Sequence, residues 1–271
     1  GIADYWQMTF LFLGVLVVLC NIALMFVPET GTAERAASQR AAQDAMADKM
    51  GGQGPVVKLF SFVVTTVLDP LLSFFRKNGM QIGIMILAFI FLFKIGEAFM
   101  GKMSIVFYKE VGFSKSDIAL YSKGLGWITT VTFTLIGGFF ALRTGVVRAL
   151  LISGIAMAGT NILFSVLAWV GPNELLFAFA VIVDDLAAAF ATVAFVTFIS
   201  LLVDRNYTAT QYALLASIGT LGRTLLASSS GALVDGLGGD WGLFFILTAI
   251  MVIPSLLLLW KLRHRLQNLA K

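Results

Sequence analysis

The sequence predicts an all-α membrane protein with about seven transmembrane helices. Three observations lead there. The 271 residues are 59% hydrophobic and only 13% charged, about half the charged fraction of an average soluble domain. Their mean hydropathy is +0.92, and a soluble fold of this size could not hide so much apolar surface from water. The apolar residues also gather in runs of about 20 or more, the length a helix needs to cross the hydrocarbon core. The breaks between runs carry turn chemistry, such as Gly112-Phe113-Ser114, Arg143-Thr144-Gly145 and Gly171-Pro172-Asn173.

In chain order, the first expected span covers residues 5–27. It contains Cys20, read as a small buried hydrophobe, and no disulfide or thiolate metal site can be built from this single cysteine. Residues 30–54 are rich in Ala, Gln, Asp and Gly with mixed charges, and form a polar connector and the one plausible domain boundary. Residues 56–75 are apolar, but they hold Lys58 and an Asp69-Pro70 break and end at Arg76-Lys77. That segment is expected to lie as an amphipathic helix in the membrane interface. Six further spans follow at 80–108, 118–142, 146–170, 174–203, 209–233 and 241–262.

Cytoplasmic segments of membrane proteins carry an excess of Lys and Arg, which tests this arrangement. With 56–75 on the surface, one side collects Arg35, Arg40, Lys49, Lys58, Arg76, Lys77, Arg143, Arg148, Arg205, Lys261, Arg263, Arg265 and Lys271. The other side holds Lys109, Lys115 and Lys123. A crossing at 56–75 would invert the bias for every later loop. The charge count therefore favours seven spans and a cytoplasmic C-terminus.

Several function classes drop out. The one histidine, His264, lies in a basic tail, so neither a histidine base nor a histidine metal cluster is available. No metal and no cofactor is expected, and scattered carboxylates do not suit a membrane-embedded enzyme. The net charge of +4 does not point to nucleic acid, because the basic residues lie between apolar runs and not on one patch. The chain starts at Gly1, with neither a basic leader region nor a clear cleavage site, and is expected to be a piece of a longer protein. One span, a long connector and six spans match the sixth helix, connector and second half of a twelve-helix transporter built from two six-helix halves.

An ionisable residue deep in a membrane helix costs roughly 2.5–3.5 kcal/mol on insertion scales and usually faces a cavity or a partner. Lys94 and Glu97 lie three residues apart, on one helix face with Gly101 and Ser104. They read either as a polar stripe on a solute path, with Glu97 carrying a proton, or as a self-neutralising packing pair. Asp184 and Asp185 are adjacent and point about 100° apart, so at most one is expected to face a central cavity and the other a neighbouring helix. Both are proton-coupling candidates. Arg223 is the lone internal charge of its span and sits on a face of small residues. It could pair with Asp184 or Asp185, or bind an anionic group. Lys123, Asn161, Gln211 and Tyr212 complete the candidate path. Gly138, Arg143 and Arg148, in the stretch from Gly137 to Arg148, read as a brace for a cytoplasmic gate.

Two longer stretches are more specific. One runs Phe107-Tyr108-Lys109-Glu110-Val111-Gly112-Phe113-Ser114 and on to Lys123; the other is Thr208-Ala209-Thr210-Gln211-Tyr212-Ala213-Leu214-Leu215 followed by Gly222-Arg223-Thr224. With Lys94-Ile95-Gly96-Glu97 they resemble the AmpG-like muropeptide permeases, a family of the major facilitator superfamily related to acetyl-CoA transporters. The Gly137–Arg148 stretch loosely resembles the loop signature of that superfamily. The chain departs from the family where Asp184-Asp185 is followed by alanines instead of an acidic-Asn pair followed by glycines. The resemblance implies that residues 1–29 are the last helix of an N-terminal half, 30–79 the cytoplasmic connector with its interfacial helix, and 80–271 the C-terminal six-helix bundle with a short tail. It further implies a multi-pass protein of the bacterial inner membrane. Its partners would be the lipid bilayer, protons, a small-molecule solute and a missing N-terminal bundle, and its activity the proton-driven import of anhydro-muropeptides. The residues themselves suit another amphiphilic anion equally.

Overall fold

The computed structural model describes residues 2–26, 37, 40, 41, 44–46, 54–204 and 207–269. Most of the expected connector at 30–54 lies outside the described residues, as do Arg205, Lys271 and the side chains of Lys58 and Lys123. Every secondary-structure element among the described residues is helical. The chain divides into two compact units, residues 1–65 and 66–271.

In the first unit, α1 (Ile2–Met25) is apolar around its whole circumference, the pattern of a helix with no water on any face. Its Thr9 and Asn21 side chains donate back to the carbonyls of Tyr5 and Val17, 2.8 Å away in each case. That satisfies them without a solvent, as lipid requires. The helix α2 (Pro55–Val63) starts on a proline, whose missing N–H costs nothing at a first helical turn. Wider π-type turns at Val64–Leu68 lead on from it.

The second unit opens with α3 (Asp69–Asn78), closed by Gly79 at φ +79°. Next come α4 (Met80–Leu92) and α5 (Ile95–Val111), parts of one apolar run interrupted at Phe93-Lys94. After a Ser114–Asp117 capping box, π-type turns at Ile118–Leu125 enter α6 (Gly126–Thr144). Then follow α7 (Val146–Val170) and α8 (Glu174–Leu202). The last three helices are α9 (Thr208–Ser228), its short continuation α10 (Ser230–Gly236), and α11 (Trp241–Leu269) with Pro254 inside it. The connections are a few residues long, down to the single Gly145, so consecutive passes run antiparallel. Two bonds fix the ends. Trp241 Nε1 donates to Glu110 Oε2 (2.8 Å), joining the end of α5 to the start of α11. Gln211 Nε2 donates to the Pro70 carbonyl (2.8 Å), joining the start of α9 to α3.

Seven helical stretches among the described residues are long and apolar enough to cross a membrane. The number agrees with the sequence expectation, but the set differs. Leu59–Asn78 is among them and α9 is not. Gln211, Arg223 and several threonines and serines lower the apolarity of α9. Yet α9 packs along both α4 and α5, as α11 does. A β-carbon at Gly222 of α9 would collide with the Phe91 carbonyl of α4. It is a full member of the bundle, with Gln211 buried against α3 and most of its other polar residues exposed.

The core of this unit is two apolar clusters stacked along the helices. One gathers Phe74, Phe89, Phe93, Leu150, Phe195, Phe198 and Leu259. The other gathers Phe99, Phe107, Tyr108, Phe164, Phe177, Trp241 and Phe245. Each long helix passes from one cluster to the other near its middle. The switch falls between Phe93 and Ile95, between Met157 and Phe164, between Val181 and Ala187, and between Val252 and Leu259. The layer between the clusters contains Lys94, Asn161, Asp184, Asp185 and, on α9, Arg223.

Candidate functional site

The break at Phe93-Lys94 sets one edge of this layer. Lys94 leaves helical geometry at φ −96° and ψ 18°, and its ammonium lies 2.9 Å from Glu97 Oε2. Lys94 Nζ also donates to Thr192 Oγ1 at 2.8 Å. Thr192 passes its own proton to the Ala188 carbonyl (2.7 Å), so its lone pair is free to accept from Lys94. On the other side of the carboxylate, Arg223 Nη2 stands 3.8 Å from Glu97 Oε1. One carboxylate thus serves two cations. Lys94 and Glu97 are 15% and 21% exposed while Arg223 is 50% exposed, so the half-open member of the trio is the arginine. The structure places Arg223 at Glu97 and not at Asp184 or Asp185.

The aspartates point to different helices. Asp184 Oδ1 accepts from the Thr160 hydroxyl of α7 at 2.8 Å, and Asp185 Oδ2 accepts from the Thr129 hydroxyl of α6. The expected divergence of adjacent side chains is present, and each carboxylate is held by a neighbouring helix. Lys94, Glu97 and Arg223 form one ion-paired trio from the α4–α5 break, α5 and α9, and the two aspartates of α8 lie in the same layer, held by Thr160 and Thr129.

Other expected site residues fall elsewhere. Asn161 is buried, with Nδ2 against Gly96 and no hydrogen-bond partner for that atom among the described residues. Gln211 is a correction to the path reading. It is buried, and its amide spans from the Asp204 backbone N–H, accepted at 2.6 Å, to the Pro70 carbonyl. One end of the side chain holds the segment before α9, and the other holds α3. Tyr212 packs on the Phe89 and Phe198 cluster, not in the charged layer. The brace also differs from expectation. Arg143 lies over the Phe139 ring of its own helix, 4.6 Å from the centroid, instead of on a carboxylate, and Arg148 is exposed. Gly137, not Gly138, makes the close approach, against Phe190; the space beside Gly138 is open.

The residues missed in the sequence are Thr129, Thr160 and Thr192. Threonines are common in membrane helices, where their hydroxyls bond the preceding turn. Only their pairing with a charge on another helix marks these three, and one chain of letters does not show that pairing.

Fold and site together define a polytopic helical membrane protein with a charged layer at mid-depth. Over 96% of its length the chain is 30% identical to a Rickettsia conorii protein carrying the name AmpG 4. Over 97% of its length it is 28% identical to the anhydromuropeptide permease of Escherichia coli strain K12, and over 74% it is 29% identical to AmpG 1 of Rickettsia bellii. The chain is AmpG-like, similar in sequence to these proteins. The matches cover 57%, 48% and 50% of those proteins, so the chain spans about half the length of the curated relatives it matches. No family model matches it.

Proposed function

We propose that this chain is the C-terminal part of a proton-coupled secondary transporter that imports anhydro-muropeptides across the bacterial inner membrane. In this reading residues 1–29 are the last helix of an N-terminal half and 30–79 a cytoplasmic connector with its interfacial helix. Residues 80–271 form one of two bundles that rock around a shared site. The partial coverage of the relatives supports an absent first bundle. The names of those relatives support transport, and that of the Escherichia coli protein supports the solute. Sidedness follows the charge bias. The antiparallel passes collect Arg76, Lys77, Arg143, Arg148, Lys261, Arg263 and Arg265 at one end and leave Lys109 and Lys115 at the other. The first end is cytoplasmic by the excess of basic residues.

The observation that carries the mechanism is one carboxylate shared by two cations at mid-depth. With Glu97 ionised, its charge offsets one of the two positive charges of Lys94 and Arg223. A proton on Glu97 removes that offset and raises by one unit the positive charge that faces an anionic group of the solute. Proton and anion then favour each other's binding, and by linkage the coupling is reciprocal. A ligand shifts the inward–outward equilibrium only by its difference in affinity for the two states. Joint occupancy is the combination that changes the charge balance of the layer least.

The test is uptake of labelled anhydro-muropeptide into vesicles by the chain assembled with its N-terminal bundle. Glu97→Gln should leave downhill exchange of solute and abolish accumulation driven by a proton gradient. Proton-driven accumulation that persists unchanged in Glu97→Gln removes Glu97 from the coupling.

A further inference from the structure

A second polar site lies away from the charged layer. Asp69, Leu72, Ser73, Arg76, Lys77 and Tyr207 line a cleft of about 580 Å³ between α3 and the start of α9. It lies at the end of the bundle where the apolar run at Met80 begins and the run through Leu202 ends, which in the proposed orientation is a bilayer boundary. Its walls are fixed by bonds. Gln211 ties Asp204 to Pro70, and Ser73 Oγ donates to Asp204 Oδ2 at 3.4 Å. Arg76 and Lys77 are exposed and make no ion pair among the described residues, although Asp69 lines the same cleft. Two uncommitted cations and a phenol facing one volume suit an anion with several acceptor oxygens. The apolar Leu72 beside them is half exposed, which a free inorganic ion would leave uncovered.

We propose that this cleft binds the phosphate of an anionic glycerophospholipid. Arg76 and Lys77 would hold the phosphate oxygens, Tyr207 would donate to one of them, Asp69 would accept from headgroup hydroxyls, and the acyl chains would run past Leu72. Basic pockets between membrane helices are the expected place for such headgroups. Because α3 forms one wall and α9 the other, an occupied cleft pins α3 to the bundle alongside the Gln211 bonds. This site depends only on the membrane setting and not on what is transported.

The experiment is thermal unfolding of the full chain in phosphatidylcholine nanodiscs, with phosphatidylglycerol titrated in. The melting temperature should rise saturably with phosphatidylglycerol. In Arg76→Gln/Lys77→Gln the half-saturating fraction should increase roughly thirtyfold, the loss expected for two surface cations. The double variant Lys261→Gln/Arg265→Gln removes the same charge elsewhere and should titrate like the parent. Should the cleft variant fold poorly, Tyr207→Phe removes a single hydroxyl and should weaken the response severalfold. An equal loss in both double variants reduces the effect to general surface charge and overturns the site. A shift of the same size with inorganic phosphate in pure phosphatidylcholine overturns the lipid as its occupant. An unshifted response in Tyr207→Phe together with Arg76→Gln/Lys77→Gln overturns both.

Discussion

Gly222→Ala is expected to destabilise the bundle although alanine is the better helix former. In an exposed helix interior that exchange gains about 1 kcal/mol. At Gly222 the added carbon would run into the carbonyl oxygen and carbon of Phe91, with the Phe91 ring at 3.0 Å. A ring at the end of a side chain can turn away, but a backbone carbonyl inside α4 cannot. Helix α9 must therefore withdraw, and Arg223, the next residue, withdraws with it from Glu97. Overpacking of this kind costs roughly 1–3 kcal/mol, enough to cancel the propensity gain and reverse it. Gly159 of α7 provides the comparison, since nothing lies within 4 Å of its added carbon and its propensity gain is the same. Thermal unfolding in detergent should rank Gly159→Ala at or above the parent. Gly222→Ala should fall below Gly159→Ala by about 1–3 kcal/mol. Equal melting temperatures for the two variants would refute the close approach of α9 to α4.

Two further outcomes follow from the bonds described. Gln211→Ala leaves the Pro70 carbonyl and the Asp204 amide without their partner, and should cost about 1–3 kcal/mol in unfolding free energy; lowered uptake at unchanged stability would instead return Gln211 to the solute path. Thr192→Val keeps the shape but removes the acceptor for Lys94, and should weaken solute affinity about tenfold, as loss of a hydrogen bond to a charged group does, with little change in melting temperature.

The span pattern was legible because lipid imposes one rule on every residue of a run. Runs at 146–170 and 174–203 were found nearly to the residue, against Val146–Val170 and Glu174–Leu202. The helix at 208–228 was also found, because its apolar run is long enough to be read even though Gln211, Arg223 and several threonines and serines interrupt it. Within the layer, Lys94 and Glu97 were readable because three residues put them on one face. Arg223 was readable as a charge internal to its span but not as Glu97's partner, because nothing local links position 97 to position 223. Gln211 was misplaced for the same reason. Its hydrogen-bonding capacity is visible in the sequence, but the Pro70 carbonyl that uses it is 141 residues distant.

Under the proposed reading, the charged layer does more than pack helices. A pair such as Lys94 and Glu97 at i, i+3 neutralises itself and would suffice to order two helices. Adding Asp184, Asp185 and Arg223 at the same depth adds three further desolvation costs of roughly 2.5–3.5 kcal/mol each. The aspartates recover part of theirs from Thr160 and Thr129. Arg223 recovers least, since its one ion pair among the described residues is long at 3.8 Å and half of its side chain is open. An arginine in that condition is stabilised by whatever occupies the space in front of it. Lipid tails offer nothing to a guanidinium, whereas water or an anionic solute offers both hydrogen bonds and charge. Under the proposed transport reading, the open side of Arg223 would border the aqueous path, and Glu97, 3.8 Å behind it, would set how strongly that path attracts an anion.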